Sequence, residues 1–307
     1  MKKGFGYISA FVLLLLLLGC SAPGGMQSET LVVTTIFPLY DFTREIVSDS
    51  GDVELTCLVD SKVDMHSYTP SSQDIMSIAE CDVFVYVGGE SDAWVDEVLA
   101  QHPNEDRVVI RCFDVLEGSL IAEDGSDEGE YDEHVWLSLR NAQVMVDAIA
   151  EALEQVDPEG ATAYAANAAE YRTQLADLDA RYEQTLSGTS RTLLVADRFP
   201  FAYLARDYGL RCFSAFSGCS AESEASFQVI AELADALDEH GLTHVFVIDD
   251  NDPTVARAVI AQADAEGVEV LSLSSMQAVS ASDIDGGTSY LSLMEENLAM
   301  LEEGISA

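Results

Sequence analysis

Residues 141–186 divide the chain into two halves and read NAQVMVDAIAEALEQVDPEGATAYAANAAEYRTQLADLDARYEQTL. They are rich in Ala, Glu and Leu, contain one glycine and one proline, and keep the apolar period that is typical of amphipathic helices. Asp157 before Pro158 predicts a helix start, because Asp is a favoured N-cap and proline suits the first helical position. We therefore expect one helix ending near Gln155 and a second from Pro158 to about Thr185, about 40 Å long at 1.5 Å per residue.

On both sides of this stretch, short apolar runs alternate with helix-like segments. That alternation is typical of parallel sheets whose strands are joined by crossover helices. The predicted fold is therefore α/β, with two lobes, each a small parallel sheet with flanking helices, joined by a long rigid helix. The predicted N-terminal lobe is 31–138, the linking helix 139–188 and the C-terminal lobe 189–307. The predicted strands are residues 31–37, 53–59, 82–88, 107–113, 192–197, 210–216, 243–249 and 268–273.

The first twenty residues predict export. Two lysines precede an apolar run that is short for a transmembrane helix and typical of a secretory signal peptide. The sequence LGC at residues 18–20 resembles a bacterial lipobox, so we expect a signal peptide over 1–19, lipid on Cys20 and a tether over 20–30. An uncleaved anchor helix is the alternative. The mature protein is expected outside the cytoplasm, lipid-anchored to the cell membrane.

Charge is the extreme feature of the composition. The chain has 14 Lys and Arg against 55 Asp and Glu, a net charge of −41, which excludes nucleic acid and anionic lipid headgroups as partners. Residues 123–133 alone carry seven acids. We expect that segment to be solvent-exposed, either as a plain surface loop or as a lip that collects cations. A hydrophobic content of 48% argues against a disordered acidic protein.

Two of the five histidines lie where a ligand site is expected. His66 follows the predicted strand 53–59, and open parallel sheets bind ligands outside the carboxyl ends of their strands. His134 ends the acidic segment, directly before the long helical stretch. Imidazole is the commonest protein ligand of borderline transition metals. The other three histidines lie in polar turns or beside a glycine turn and are expected at the surface: His102, His240 and His244.

Cysteine spacing leaves several pairings open. Five cysteines remain after Cys20, and Cys212 and Cys219 are close enough in sequence to form a bridge. Cys57, Cys81 and Cys112 lie in or beside strand-like runs, so buried thiols are equally consistent with the sequence. The chain has no C-x-x-C, which argues against a thiolate zinc site.

Four ordered motifs carry a resemblance to a known family: VDMHSYTPSSQDI at 63–75, CDVFVYVGGESDAWV at 81–95, DEHVWLSLRNA at 132–142 and ADRFPFAYLARDYGL at 196–210. With the lipobox before them, they resemble the binding lipoproteins of zinc and manganese ABC importers, over residues 31 to 303. The resemblance implies two lobes with a rigid linking helix, capture of Zn²⁺ or Mn²⁺ between them, and delivery to a membrane permease. It also implies that His66 and His134 are metal ligands.

The second lobe departs from the family pattern. Arg198 stands where many members place a third ligand, and a guanidinium cannot ligate a metal. Close relatives of the ADRFPF type have histidines in a later segment, where this chain has Ser274 and Gln277. Carboxylates that could substitute follow the strand 243–249 or lie between the cysteine pair and the next helix. The candidate second-lobe ligands are Asp249, Asp250, Glu222 and Gln277.

Other functions remain open from the sequence. The site could hold a chelated metal, the chain could be a diverged paralogue with another ligand, or it could be a surface adhesion lipoprotein. A secreted hydrolase is disfavoured, because the chain has neither H-E-x-x-H nor G-x-S-x-G. The prediction is a monomeric, non-enzymatic binding protein for Zn²⁺, with Mn²⁺ as the second choice.

Overall fold

The structure is a computed structural model that describes residues 29–48, 53–59, 64–123, 130–187, 192–218, 225–277 and 279–305. The predictions for Cys20, Cys219 and Glu222 lie outside these residues. The strands are β1 Thr30–Thr34, β2 Val53–Cys57, β3 Val83–Tyr86, β4 Val108–Arg111, β5 Thr192–Val195, β6 Arg211–Ser214, β7 His244–Ile248 and β8 Glu269–Leu273. The helices are α1 Phe37–Val47, α2 Ser72–Glu80, α3 Trp94–Gln101, α4 Cys112–Val115, α5 Leu139–Val156, α6 Ala161–Leu186, α7 Ala202–Tyr208, α8 Phe227–His240, α9 Thr254–Gln262, α10 Ala281–Asp285 and α11 Tyr290–Ile305.

The strands form two parallel four-stranded sheets with the same topology. The order is β2-β1-β3-β4 in the first and β6-β5-β7-β8 in the second. All eight predicted strands are confirmed, with every end within three residues of the predicted bound. We call the half with the first sheet the first lobe and the half with the second sheet the second lobe. In each sheet the strand order reverses between the first and third strands in chain order, β1 and β3 or β5 and β7. Ligands of open α/β sheets bind at such a switch point.

Two consecutive helices, α5 and α6, connect the lobes. The buried face of α6 repeats every three or four residues and consists of Tyr164, Ala168, Tyr171, Leu175, Leu178, Tyr182 and Leu186. At 1.5 Å per residue the helix is about 39 Å long. Asn167 donates a hydrogen bond to the Ile46 carbonyl of α1 (2.9 Å), and Tyr182 donates one to the Met294 carbonyl of α11 (2.6 Å). The helix therefore contacts both lobes, near its two ends.

The start of α6 differs from the prediction. The helix begins at Ala161, not at Pro158. Asp157 uses one carboxylate oxygen to accept the N–H groups of Glu159 and Gly160 (both 3.2 Å) and the other to accept the hydroxyl of Tyr164 (2.6 Å). These bonds fold residues 157–160 into a turn, because an Asp side chain competes with the helix for nearby backbone donors.

The hydrophobic core is continuous along the linking helices. One cluster of buried side chains contains residues of both sheets together with α1, α5, α6 and α11. Cys81 and Cys112 are fully buried thiols in the first lobe. Across the ranges given above, no helix combines the length and the apolar character that crossing a membrane requires.

Candidate metal site

The two histidines that the sequence singles out meet in space. His66 lies on a 3₁₀ turn, Met65–Ser67, beyond the carboxyl end of β2, and Asp64 caps this turn by accepting the His66 backbone N–H (3.0 Å). His134 directly precedes a second 3₁₀ turn, Val135–Leu137, that leads into α5. Their Nε2 atoms are 3.4 Å apart. The side chain of His134 is fully buried, and that of His66 is 16% exposed.

Each imidazole is held at its other nitrogen by a carboxylate. Nδ1 of His134 lies 3.1 Å from Asp132 Oδ1, which also accepts the His134 backbone N–H (2.9 Å). Nδ1 of His66 lies 2.8 Å from Ser91 Oγ and 3.2 Å from Glu133 Oε2. Both Nδ1 atoms are thereby assigned as N–H donors, so both Nε2 atoms present lone pairs to each other. Two facing lone pairs at this distance repel unless a cation lies between them.

Glu133 is fixed as firmly as the histidine it orients. Its two oxygens accept the Ser91 backbone N–H (2.7 Å) and hydroxyl (2.5 Å). Burial opposes ionisation of this carboxyl, but the hydrogen bonds from His66 and Ser91 outweigh it and lower its pKa. The group is therefore a carboxylate at neutral pH. Ser91 follows β3, so the switch point of the first sheet positions the partner of His66.

Asp132 and Glu133 correct the prediction for the acidic segment. We expected all of residues 123–133 to be solvent-exposed, but Asp132 is 5% and Glu133 is 2% exposed. Sequence reasoning did not give these two acids a role at the histidines. The available signal was their position in DEH, immediately before His134. Residues 124–129 of the segment lie outside the described residues.

The second lobe contacts the site directly. A Cβ atom placed on Gly218 would lie 3.1 Å from Asp132 Oδ2, 3.5 Å from His134 Cε1 and 2.9 Å from the Phe199 carbonyl oxygen. Only a residue without a side chain fits there without displacing its neighbours. Gly218 follows β6, so it brings the carboxyl edge of the second sheet against His134.

Arg198 is paired rather than free. It follows β5, and its Nη1 lies 2.7 Å from Oδ2 of Asp64, across the cleft between the lobes. Burial opposes ionisation of Asp64, but the His66 N–H and the Arg198 guanidinium outweigh it and lower its pKa. The positive charge of Arg198 is thus matched by a carboxylate two residues before His66.

Asp249 lies at the switch point of the second sheet. It follows β7, in a left-handed conformation (φ 47°), and accepts the Ser275 backbone N–H (2.8 Å) and the Ser275 hydroxyl. Burial raises the pKa of this carboxyl, while hydrogen bonds from Ser275 and Ser274 and the charge of Arg198 act in the opposite direction.

Asp250 and Gln277 are placed less favourably. Asp250 is exposed, and its N–H donates to Ser272 Oγ (3.0 Å). The Gln277 backbone N–H donates to Ser275 Oγ (3.3 Å), which places Gln277 close to the partner of Asp249. Among the described residues, no hydrogen bond or ion pair joins Asp249, Asp250 or Gln277 to either imidazole. The second-lobe ligands thus stay predictions.

A cavity of about 1140 Å³ opens beside His66 and Glu133 in the first lobe. Its lining includes one basic side chain, that of Arg111, which donates hydrogen bonds to the Gly88 carbonyl (2.6 and 3.2 Å). Most charged side chains of this cavity wall are acidic, and an acidic wall attracts cations and raises their local concentration. Its acidic side chains include Glu90, Asp96, Asp114, Glu117, Glu123 and Glu130.

A second group of ligand-type side chains lies at the opposite edge of the second sheet. His244 and Glu269 occupy paired positions at the starts of β7 and β8, and Glu303 belongs to α11. One ligand atom from each lies within 4.8 Å of the others. Both glutamates are exposed, so we regard this group as a surface site for comparison with the histidine pair and not as the main metal site.

Comparison with known proteins decides the family. Residues 32–304 match ZnuA, described as the zinc-uptake complex component A, periplasmic. The chain belongs to the ZnuA family. The predicted resemblance to a family of metal-binding transport proteins is thereby confirmed, and the two parallel four-stranded sheets confirm the two-lobed α/β fold.

Three relatives illustrate the membership. The zinc-binding lipoprotein AdcA of Streptococcus pneumoniae (strain ATCC BAA-255 / R6) is 30% identical over 99% of this chain, which spans 61% of the length of AdcA. The high-affinity zinc uptake system protein ZnuA of Bacillus subtilis (strain 168) is also 30% identical, over 99% of this chain and 97% of that protein. The Zn(II)-bound ZnuA-like domain of Streptococcus pneumoniae AdcA superposes with a TM-score of 0.75 at 27% identity, over 91% of this chain and 100% of that chain.

Proposed function

We propose that this protein captures Zn²⁺ between His66 and His134 outside the cytoplasm and delivers it to the permease of an ABC importer. The single observation that carries the proposal is the pair of Nε2 atoms 3.4 Å apart, each on a ring whose Nδ1 is held by a carboxylate. A carboxylate behind a histidine fixes the tautomer and raises the basicity of the nitrogen that faces the metal.

The distance fits the bond lengths of zinc. Tetrahedral Zn²⁺ with Zn–N bonds of about 2.0–2.1 Å places two ligand nitrogens about 3.3–3.4 Å apart. The histidine pair thus needs little rearrangement to receive the ion. Mn²⁺ favours oxygen-rich octahedral sites, so this pair supports zinc over manganese.

The remaining coordination positions come from the second lobe or from water. Asp249 is the best-supported candidate, because it follows β7 at the switch point of the second sheet. Asp250, Gln277 and Glu222 are the other proposed ligands. The pairing of Arg198 with Asp64 supports a bare ion over a chelated one, since this guanidinium already binds a carboxylate of the protein instead of an anionic chelator.

Lipid on Cys20 would keep the protein beside its permease. Residues 1–19 act as the signal peptide and 20–30 as the tether in this proposal, followed by the first lobe (31–138), the linking helix (139–188) and the second lobe (189–307). The name of AdcA, a zinc-binding lipoprotein, supports the anchor, and the description of the family as a periplasmic zinc-uptake component supports the location and the import role.

The test is a zinc titration of the chain beginning at Ser21, by competition with a chromophoric chelator and by elemental analysis. We expect one tightly bound zinc per chain, and a dissociation constant (Kd) more than about 100-fold higher for His66→Ala and for His134→Ala, because a lost ligand costs more than a lost supporting group. His244→Ala is the matched control and should leave the tight site unchanged. Unaltered binding in both His66→Ala and His134→Ala would overturn the proposal.

A further inference from the structure

The two histidines receive very different support from the second lobe. The segment around His134 contacts that lobe at several buried points, among them Gly218 beside the ring and Tyr203, whose hydroxyl donates to the Asp132 carbonyl (2.8 Å). The turn around His66 is tied down in the first lobe through Met65, which is 4% exposed. As far as the structure describes the chain, residues 64–67 have one hydrogen bond or ion pair to the second lobe, that of Asp64 with Arg198.

Hydrogen bonds within the second lobe fix the backbone position of Arg198. Its backbone N–H donates to Asp197 Oδ1 (2.8 Å). The other oxygen of Asp197 accepts the Asn251 side-chain N–H (3.1 Å) and the Ile248 backbone N–H (3.5 Å), at the carboxyl end of β7. Asp197 therefore ties the ends of β5 and β7 together and sets the position from which the guanidinium of Arg198 extends.

The contacts continue across the cleft to the ligand. The guanidinium bonds Oδ2 of Asp64, while Oδ1 of the same carboxylate accepts the backbone N–H of His66. One carboxylate thus joins the second sheet to His66 through two charge-assisted hydrogen bonds, which are stronger than neutral ones. Both side chains are partly shielded, at 21% exposure for Arg198 and 30% for Asp64.

We propose that Arg198 is a positioning residue of the zinc site, which holds His66 in register with His134 by fixing Asp64 across the cleft. This inference rests on the proposed function of the histidine pair. Arg198 occupies the usual third-ligand position of the family. At that position the second lobe would therefore support a ligand of the first lobe instead of supplying a ligand of its own. Closing the cleft and placing His66 become one event.

The test separates a brace from a repelling charge, because the two predict opposite signs. For the chain beginning at Ser21, Arg198→Met should raise the Kd for Zn²⁺ about 10-fold, the lower end of the effect of supporting groups. Arg198→Gln keeps a polar side chain and is less prone to misfold, so it serves as a second variant. It should also raise the Kd for Zn²⁺. Tighter zinc binding in either variant would overturn the inference, since it would show that the guanidinium repels the metal.

A double-mutant comparison tests the route through Asp64. Asp64→Asn keeps an oxygen for the His66 N–H and removes the charge that Arg198 binds, so it should match Arg198→Met. The double variant should be no weaker than either single variant, because both break the same link. Additive losses would overturn the route.

Arg206→Met is the matched control, because Arg206 also joins the lobes, through its Nη1 and the Ser119 carbonyl (2.5 Å), away from His66. An equal loss of affinity in that control would reduce Arg198 to a general contact between lobes.

A readout without metal distinguishes this inference from the proposed function. In the zinc-free protein, Arg198→Met should speed hydrogen exchange of the His66 backbone amide about 10-fold relative to Arg206→Met, because Asp64 would no longer be held against that amide. Equal exchange in the two variants would overturn the inference. Failure of the proposed function would appear elsewhere, as zinc binding that His66→Ala leaves unchanged.

Discussion

The segments that carry His134 and His66 are attached to the second lobe by different kinds of bond. Around His134 several of the bonds are neutral and buried: Trp136 Nε1 donates to the Ser275 carbonyl (2.9 Å), and the Tyr290 hydroxyl donates to the Trp136 carbonyl (2.6 Å). Around His66 the bond is an ion pair between Arg198 and Asp64, within reach of solvent. Buried neutral bonds are insensitive to salt, whereas a partly exposed ion pair is screened by it. Ionic strength should therefore act on the His66 side of the site.

This difference separates a fixed ligand from an adjustable one. His134 is followed directly by Val135, Trp136 and Leu137, which belong to the continuous core along the linking helices, so packing fixes its position. His66 lies on a short 3₁₀ turn, Met65–Ser67, that is linked to the second lobe through the ion pair of Asp64 with Arg198.

The strongest way to break the comparison is to remove the carboxylates behind the two rings. Asp132→Asn and Glu133→Gln should each raise the Kd for Zn²⁺ about 10- to 100-fold, because each removes the carboxylate charge that orients one imidazole and raises the basicity of its Nε2. The same chelator competition measures both. Glu130→Gln, in the cavity wall, is the control and should change the Kd less than about 2-fold. Equal effects in all three variants would show that only net charge matters.

The attachment of His134 is tested by Tyr203→Phe. The Tyr203 hydroxyl accepts the Ile121 N–H (3.2 Å) and donates to the Asp132 carbonyl (2.8 Å), so its loss leaves two backbone groups unpaired. We expect the free energy of unfolding to fall by about 2 kcal/mol. Thermal and urea unfolding measure it.

Tyr131→Phe is the control for that variant, since Tyr131 is 38% exposed, and it should cost less than about 0.5 kcal/mol. A loss for Tyr203→Phe no greater than the control would mean that these bonds do not hold the lobes together.

The smallest expected effect concerns Asp41 of α1, which joins the first lobe to Tyr290 of α11 in the second lobe. Its Oδ2 accepts the Tyr290 N–H (2.7 Å), it pairs with Arg44, and burial raises its pKa to about 6. Since the unfolded pKa is about 3.9, the folded state binds more protons between about pH 4 and pH 6, and this contribution to stability is lost as the pH rises through that range.

Asp41→Asn removes that titration. The variant should therefore gain on the wild type, by about 1 kcal/mol, between pH 5 and pH 7. Urea unfolding at both pH values measures the change. A constant difference between the two proteins would show that Asp41 does not titrate in this range.

Much of the fold could be predicted because it follows from local patterns. Alternating apolar runs located all eight strands, and the 3.6-residue period located α5 and α6. The start of α6 was wrong because the Asp157 side chain bonds its own turn and the distant Tyr164, a choice that propensity does not show. The short helix α10 carries no period of its own and was missed.

The first-lobe half of the site could also be predicted, but not its support. His66 was identified by its place after a strand and His134 by its place before a helix. The sequence motifs around them supported both. The burial of Asp132 and Glu133 was not, because an acidic run reads as solvated surface until a buried histidine is set beside it. The partner of Arg198 was equally out of reach, since Asp64 belongs to the other lobe.

The amino-acid sequence by itself determined the α/β class, the two repeated sheets, the stiff connection and the two imidazoles, because these depend on neighbours along the chain. Only the tertiary structure decided the 3.4 Å between the Nε2 atoms and the carboxylate behind each ring. It also decided that the guanidinium at the usual ligand position is neutralised across the cleft. The physical reason is that ligand geometry and charge pairing act through space, between groups that folding alone brings within a few ångströms.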